Sequence, residues 1–287
     1  MNIILGANGH VGSATAKALL KAGQPATVLL HNPEKAASWK AKGANVAIID
    51  VHDTAALRRV FAKGESAFLL NPPAPPSIDT VSAEKKSVAS ILNALKDSGI
   101  KKVVAESTYG AQPGDGIGDL GVLYELEQGL HELAIPATII RAAYYMSNWD
   151  MSLETARKEG VVHTLYPIDF ALPMVSPKDI GGFAARFLME PMEHTDIQYV
   201  EGPKTYSPAD VAAAFSSALN KPVQAVETKP NEWMQALRSM GFGEISANSM
   251  MAMTKITLEN RYTKPDTPDR GNITLKEHID ELVKGGE

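Results

Sequence analysis

Seven residues near the amino terminus constrain this chain more than any others. Gly6-Ala7-Asn8-Gly9-His10-Val11-Gly12 is a G-x-x-G-x-x-G run that follows the apolar stretch Ile3-Ile4-Leu5 and precedes Ala14, Ala18 and Leu19. Glycines between a strand and a helix let the backbone approach a bulky anion with no Cβ in the way, and the helix start supplies uncommitted amide donors. That arrangement suits a dinucleotide pyrophosphate. Gly6, Asn8, Gly9, His10, Val11 and Gly12 are the candidate cofactor-binding residues of this loop.

The sequence beyond repeats the same strand-then-helix order. Short apolar runs at 2–5, 26–30, 45–49, 66–70, 102–105 and 137–140 are bounded by Gly, Pro, Asn or Asp, and helical stripes such as Val88, Ile91, Leu92 and Leu95 lie between them. Alternation of this kind predicts a Rossmann-type doubly wound parallel sheet, an α/β fold, over residues 1–150. After Asn148 the alternation weakens, so residues 151–287 are expected to form a smaller carboxyl-terminal α/β domain for substrate, with elements free to interleave with the first. Runs at 161–165 and 197–200 read as strands, and 178–189 and 208–219 as helices. Ser207-Pro208 starts the last of these, a capping hydroxyl followed by proline at the first helical position. The Met-rich stretch 231–261 reads as helical, adaptable packing in a core or an interface, so a homodimer is left open.

Composition excludes several classes. With 28 Lys and Arg against 33 Asp and Glu, the net charge of -5 gives no field for nucleic acid or an anionic membrane surface. The absence of cysteine removes thiol nucleophiles, disulfides and cysteine metal sites, and the seven histidines are too scattered for a ligand set, so no metal is expected. No run of apolar residues has spanning length, and the first residues lack a signal-peptide pattern, so the expected location is cytoplasmic.

The choice of dinucleotide turns on the end of the second strand. An acid there would favour NAD by accepting from the ribose 2′-hydroxyl and would repel a 2′-phosphate. The chain reads Leu30-His31-Asn32-Pro33-Glu34-Lys35. His31, Asn32 and Lys35 can donate to a phosphate, and NADP(H) is expected in preference to NAD(H). Asp50, ending the third strand, suits the adenine edge or, equally, a cap for the helix near Thr54. Asn71 and Pro72 begin a stiff proline-rich loop expected beneath the nicotinamide ribose, and Ser107, just after the fifth strand, is a further candidate cofactor contact.

Together with that glycine loop, His31 to Ala36, Asp50, the run Leu133 to Arg141, Tyr145-Met146-Ser147-Asn148, Ser176 to Ile180 and Glu201 to Ser207 resemble the NmrA-like branch of the atypical short-chain dehydrogenase/reductases. Within it they are similar to NAD(P)H:quinone reductase-like members. The resemblance implies a six- or seven-stranded Rossmann domain, a small carboxyl-terminal domain, NADP in the cleft and substrate between the domains. Family members often carry arginine where His31 stands. The Tyr-x-x-x-Lys dyad of the wider superfamily is missing: counting back from Glu127 puts its lysine position at Leu123 and its tyrosine position at Asp119, and Tyr124 is followed four residues later by Gln128.

Loss of the dyad weighs against alcohol oxidation and epimerisation, which must deprotonate a hydroxyl of high pKa. Hydride transfer to a quinone survives it, because the product is a stabilised phenolate that solvent can protonate. The expected activity is therefore NADPH-dependent reduction of a quinone or similar conjugated acceptor, and the alternative is a noncatalytic NADP-binding, redox-sensing regulator. Thr108, Tyr109 and Asn148 are the candidates for positioning the acceptor, with His163 and Phe170 as contacts from the second unit.

Overall fold

The computed structural model describes residues 1–285. Its first half alternates as the sequence predicts: β1 (Asn2–Ile4), α1 (His10–Lys21), β2 (Ala26–Leu30), α2 (Ala36–Ala41), β3 (Asn45–Ile48), α3 (Thr54–Phe61), β4 (Ser66–Leu69), α4 (Thr80–Leu95), β5 (Lys102–Thr108), α5 (Asp119–Glu132) and β6 (Ala137–Ala142). There follow β7 (Tyr144–Tyr145), a 3-10 helix (Met146–Ser152), α6 (Leu153–Glu159), β8 (Val161–Thr164), β9 (Leu172–Val175), α7 (Pro177–Met189) and β10 (Asp196–Glu201). The chain ends with β11 (Thr205–Tyr206), α8 (Pro208–Leu219), β12 (Gln224–Glu227), α9 (Trp233–Ser239), α10 (Glu244–Leu258), β13 (Asp269–Arg270) and α11 (Leu275–Gly285).

Eight strands form one parallel sheet in the order β3-β2-β1-β4-β5-β6-β10-β13. The order reverses between β1 and β4, and the crevice outside the strand ends at that reversal is where open α/β sheets take their ligands. Alternate residues of each strand feed opposite cores. Ile4, Val28, Phe68, Val104 and Ile140 pack under α1 and α7, whereas Ile3, Leu29, Ala67, Val103 and Ile139 pack under α3, α4 and α5. Burial on both faces explains why the strands are continuous apolar runs. Gly181 lets α7 lie directly on α1, since a Cβ there would stand 2.5 Å from the Ala14 Cβ.

Beyond residue 150 the chain divides its elements. α7, β10 and β13 return to the large sheet, while α6, α8, α11 and the short strands β7, β8, β9, β11 and β12 build a third core around Met146, Trp149, Val162, Leu172, Phe215 and Ile279. Ser207 caps α8 through a reciprocal box with Asp210, as its Ser-Pro start predicts. The Met-rich stretch is two helices, α9 and α10. α10 roofs the proline loop: Gly243 N–H donates to the Pro76 carbonyl at 2.7 Å, and the Ser246 hydroxyl donates to the same oxygen. Among the described residues no helix is long and apolar enough to cross a membrane.

Candidate functional site

The glycine loop sits at the carboxyl end of β1, beside the reversal of strand order. Gly6 has φ +74°, a conformation that side chains resist, and a Cβ on it would press on Leu70 at 3.0 Å. Gly12 is tighter still, because its Cβ would lie 2.4 Å from the Gly6 carbonyl oxygen. Gly9 caps α1 without any side-chain acceptor, and the first turn carries no acid. The free amides of that turn consequently face the crevice with their share of the helix dipole uncancelled.

Three asparagine oxygens around this crevice are buried and lack a hydrogen-bond partner: Asn8 Oδ1, Asn32 Oδ1 and Asn71 Oδ1, from the ends of β1, β2 and β4. Buried polar atoms in native proteins are nearly always paired, so three orphans along one edge fit a polar ligand that completes them. Lys35 crosses above the loop, its Nζ donating to the Asn8 carbonyl at 3.2 Å. His31 is exposed beside it and Asn32 half-buried. For Asp50, the cap alternative does not hold for the helix itself: Asp53 caps α3 through Ala56 N–H, and Asp50 accepts instead from His52 N–H at 2.9 Å within the preceding turn.

Further along the edge the chemistry becomes ionic. Ser107 is buried and donates to Glu127 Oε1 at 2.5 Å, so its hydroxyl is engaged on the α5 side of the sheet rather than open to the crevice. Glu127 also receives both Nε and Nη2 of Arg141, at 2.9 and 2.6 Å, and Arg141 Nη1 reaches the Tyr199 hydroxyl at 3.1 Å. Asp119 at the start of α5 meets Glu84 of α4, and the two carboxyls share a hydrogen bond that one must be protonated to donate. Burial first, then the charge of Asp119, pushes Glu84 up to about 8, while the Ala74 N–H opposes that shift from 2.9 Å. Glu106, in the middle of buried β5, has neither carboxyl oxygen partnered, and burial pushes it up to about 8.

The expected acceptor residues are arranged differently. Tyr109 packs edge-on against Tyr199 with ring centres 5.3 Å apart, and its hydroxyl donates to Glu201 Oε1 at 3.0 Å, with Arg270 on the other oxygen of Glu201 at 3.0 Å. Thr108 donates to the Tyr109 carbonyl at 3.3 Å. Asn148 is exposed and hydrogen-bonds the Tyr144 hydroxyl. Tyr144, Trp149, Tyr166 and Phe170 form a continuous aromatic cluster, with Tyr166 and Phe170 stacked at 5.6 Å. Tyr166 is joined to α10 through Thr254 and Thr257. Phe170 thus belongs to the cluster, whereas His163 points to solvent from β8. Sequence reasoning missed Tyr166, its contact with α10 and the Glu84–Asp119 contact. The last had a signal, an acid near the start of each of two helices, Glu84 on α4 and Asp119 on α5.

A family model for the NmrA-like family matches residues 2–284. The chain belongs to the NmrA-like family. It is 26% identical over 257 residues to an NAD(P)H azoreductase of Xenophilus azovorans, covering 87% of this chain and 85% of that protein. Among solved structures it resembles the NADPH-dependent quinone oxidoreductase QOR2 of Escherichia coli in complex with NADPH, with TM-score 0.77, 24% identity and 98% and 99% of the two chains covered. The Citrobacter triphenylmethane reductase complexed with NADP(H) matches with TM-score 0.78 and 18% identity over 98% and 99%. These structural likenesses extend the fold across the whole chain.

Proposed function

We propose that this NmrA-like protein is an NADPH-dependent reductase that transfers hydride to a quinone or similar conjugated acceptor. The observation that carries this reading is the crevice at the β1/β4 reversal: bare backbone at Gly6 and Gly12, an uncapped α1 and three orphaned asparagine oxygens, with no acid at the end of β2. The names of the azoreductase, quinone oxidoreductase and triphenylmethane reductase relatives support it.

The loop and first-turn amides from Gly6 to Gly12 would hold the diphosphate, and Asp50 the adenine. His31, Asn32 and Lys35 would receive the 2′-phosphate, and Asn71 and Pro72 would lie under the nicotinamide ribose. When bound, the cofactor supplies the hydride. Thr108, Tyr109 and Asn148 orient the acceptor beside the aromatic cluster, which keeps water from one wall. A quinone product leaves as a stabilised phenolate, so no residue need serve as a strong acid.

The test is optical: NADPH oxidation against a panel of quinones, azo compounds, enones and carbonyls. Oxidation that depends on a conjugated acceptor is expected. NADPH binding with no acceptor-dependent oxidation would favour the noncatalytic regulator instead. Tenfold tighter binding of NADH than NADPH would reject the cofactor preference.

A further inference from the structure

The proline loop between β4 and α4 has few backbone groups with which to hold itself in place. From Pro72 to Pro76 only Ala74 carries a main-chain N–H, because proline has none. That N–H donates to Glu84 Oε1 of α4 at 2.9 Å, and the Pro76 carbonyl accepts from Gly243 and Ser246 of α10. Glu84 is 6% exposed, and its carboxyl also meets Asp119, the first residue of α5. The turn before Asp119 lies against the same α10, since a Cβ on Gly118 would stand 3.0 Å from the Met253 sulfur. One carboxyl on α4 therefore joins the proline loop to the start of α5.

A carboxyl performs both tasks only when protonated, donating its O–H to Asp119 while its carbonyl oxygen accepts from Ala74. Burial raises both acids. The charge of Asp119 and the shared hydrogen bond raise Glu84 further, whereas that bond lowers Asp119, so the proton sits on Glu84. Neighbouring charges are engaged elsewhere. Lys85 pairs with Glu125 of α5 at 2.6 Å and is raised further by Asp115, and Asp79 caps α4 through Ser82 with Lys86 near it. From α3, Arg58 meets α4 lower down, on the Asn93 carbonyl, and α10 brings Ser246, Ser249 and Met253 to this corner.

We infer that Glu84, sharing one proton with Asp119, is a positioning residue that latches the proline loop for the nicotinamide end of the cofactor, and that losing this proton frees the loop and slows reduction of the acceptor. The role at the nicotinamide rests on the reductase reading above, whereas the latch rests on the hydrogen bonds of the loop itself. Ionised Glu84 would set two negative charges side by side, with no O–H left to bridge them. Because Glu84 is pushed up to about 8, the latch is closed at pH 7, and at pH 9 only about a tenth of the molecules keep the proton.

Hydrogen exchange of the Ala74 amide in the full chain, followed from pH 7 to 9 and corrected for the intrinsic rate at each pH, reads the latch without turnover. Protection in the wild type is expected to fall about tenfold over that range. Glu84→Gln keeps a donor for Asp119 and an acceptor for Ala74 with no proton to lose, so its protection should stay within about twofold. Asp119→Asn keeps an acceptor and removes the charge, so the decline should move to lower pH. Acceptor-dependent NADPH oxidation in the same buffers should show an alkaline decline of kcat/KM in the wild type that Glu84→Gln lacks. Ala74 protection that falls equally in the wild type and Glu84→Gln, or in neither, overturns the inference, and so does turnover with one pH profile in both. If no acceptor is reduced, the reductase reading falls, and the Ala74 exchange alone decides the latch.

Discussion

The two ends of the proposed cleft are built from different materials. At the glycine loop the recognising groups are backbone amides and asparagine oxygens that the protein itself leaves without partners. At the aromatic end, tyrosine hydroxyls are already answered by the protein: Tyr109 by Glu201, Tyr144 by Asn148, Tyr166 by Thr254 and Thr257. Only the Trp149 Nε1 is orphaned there among the described residues. On the proposed reading the first end is a socket for one charged shape, and the second is a wall whose contacts are self-sufficient. Such a division suits a fixed cofactor and a variable planar acceptor.

The sharpest way to break this contrast is to distort the turn that shapes the socket. Gly12→Val would drive side-chain carbon into the Gly6 carbonyl, whose oxygen a Cβ at residue 12 would meet at 2.4 Å. NADPH affinity should fall at least a hundredfold, more than about 2.7 kcal/mol. Near-ultraviolet circular dichroism of the aromatic cluster should stay unchanged, because Tyr144, Trp149 and Phe170 pack in the third core, apart from the one that α1 covers. Retained NADPH binding would show that the loop is only a helix-packing turn.

A second test uses the acid buried in β5. The folded state raises Glu106 from the ordinary 4.5 to about 8, so folding favours its protonated form. Stability is then highest below the unfolded value and declines as pH rises from about 4.5 toward 8, by up to about 1.4 kcal/mol per pH unit for this group. Glu84, raised into the same range, adds to the slope. Urea unfolding at pH 6, 7 and 8 should show wild-type stability falling and Glu106→Gln falling less steeply. Parallel curves would mean that Glu106 finds a partner in solution.

These regions also differ in how far the sequence discloses them. The glycine loop and six parallel strands are local patterns, each contained in a dozen residues, and they stand where the periodicity places them. The aromatic wall is assembled from Tyr144, Trp149, Tyr166, Phe170 and the distant α10, whose relation is a property of the folded chain. Short strands such as β13 have no apolar run to advertise them, since Asp269 and Arg270 join the sheet only as an edge. Glu106 is visible in the sequence, an acid following Val103-Val104-Ala105, and an acid in a strand buried on both faces already signals a displaced pKa.

On the aromatic side the expected effects are smaller. Asn148→Ala removes an exposed amide and the hydrogen bond it makes with the Tyr144 hydroxyl. The acceptor KM should rise several-fold, with NADPH affinity unchanged. A matching loss of NADPH affinity would place Asn148 at the cofactor and erase the division between socket and wall.

Tyr109→Phe should have the least effect, and its size separates two roles. Burial first, and then the negative charge of Glu201, hold the Tyr109 phenol protonated far above neutral pH, and its proton is committed to Glu201 at 3.0 Å. A phenol so placed can orient an acceptor with its ring but is a poor source of a proton. Removing the hydroxyl leaves Glu201 paired with Arg270, so the stability cost should stay near one hydrogen bond, about 1 kcal/mol. Quinone turnover should drop less than tenfold, with NADPH affinity and the pH profile of kcat/KM unmoved. Loss of a general acid would instead cost a hundredfold or more. A drop of that size, accompanied by loss of the alkaline limb, would make Tyr109 a general acid and the wall a proton donor after all.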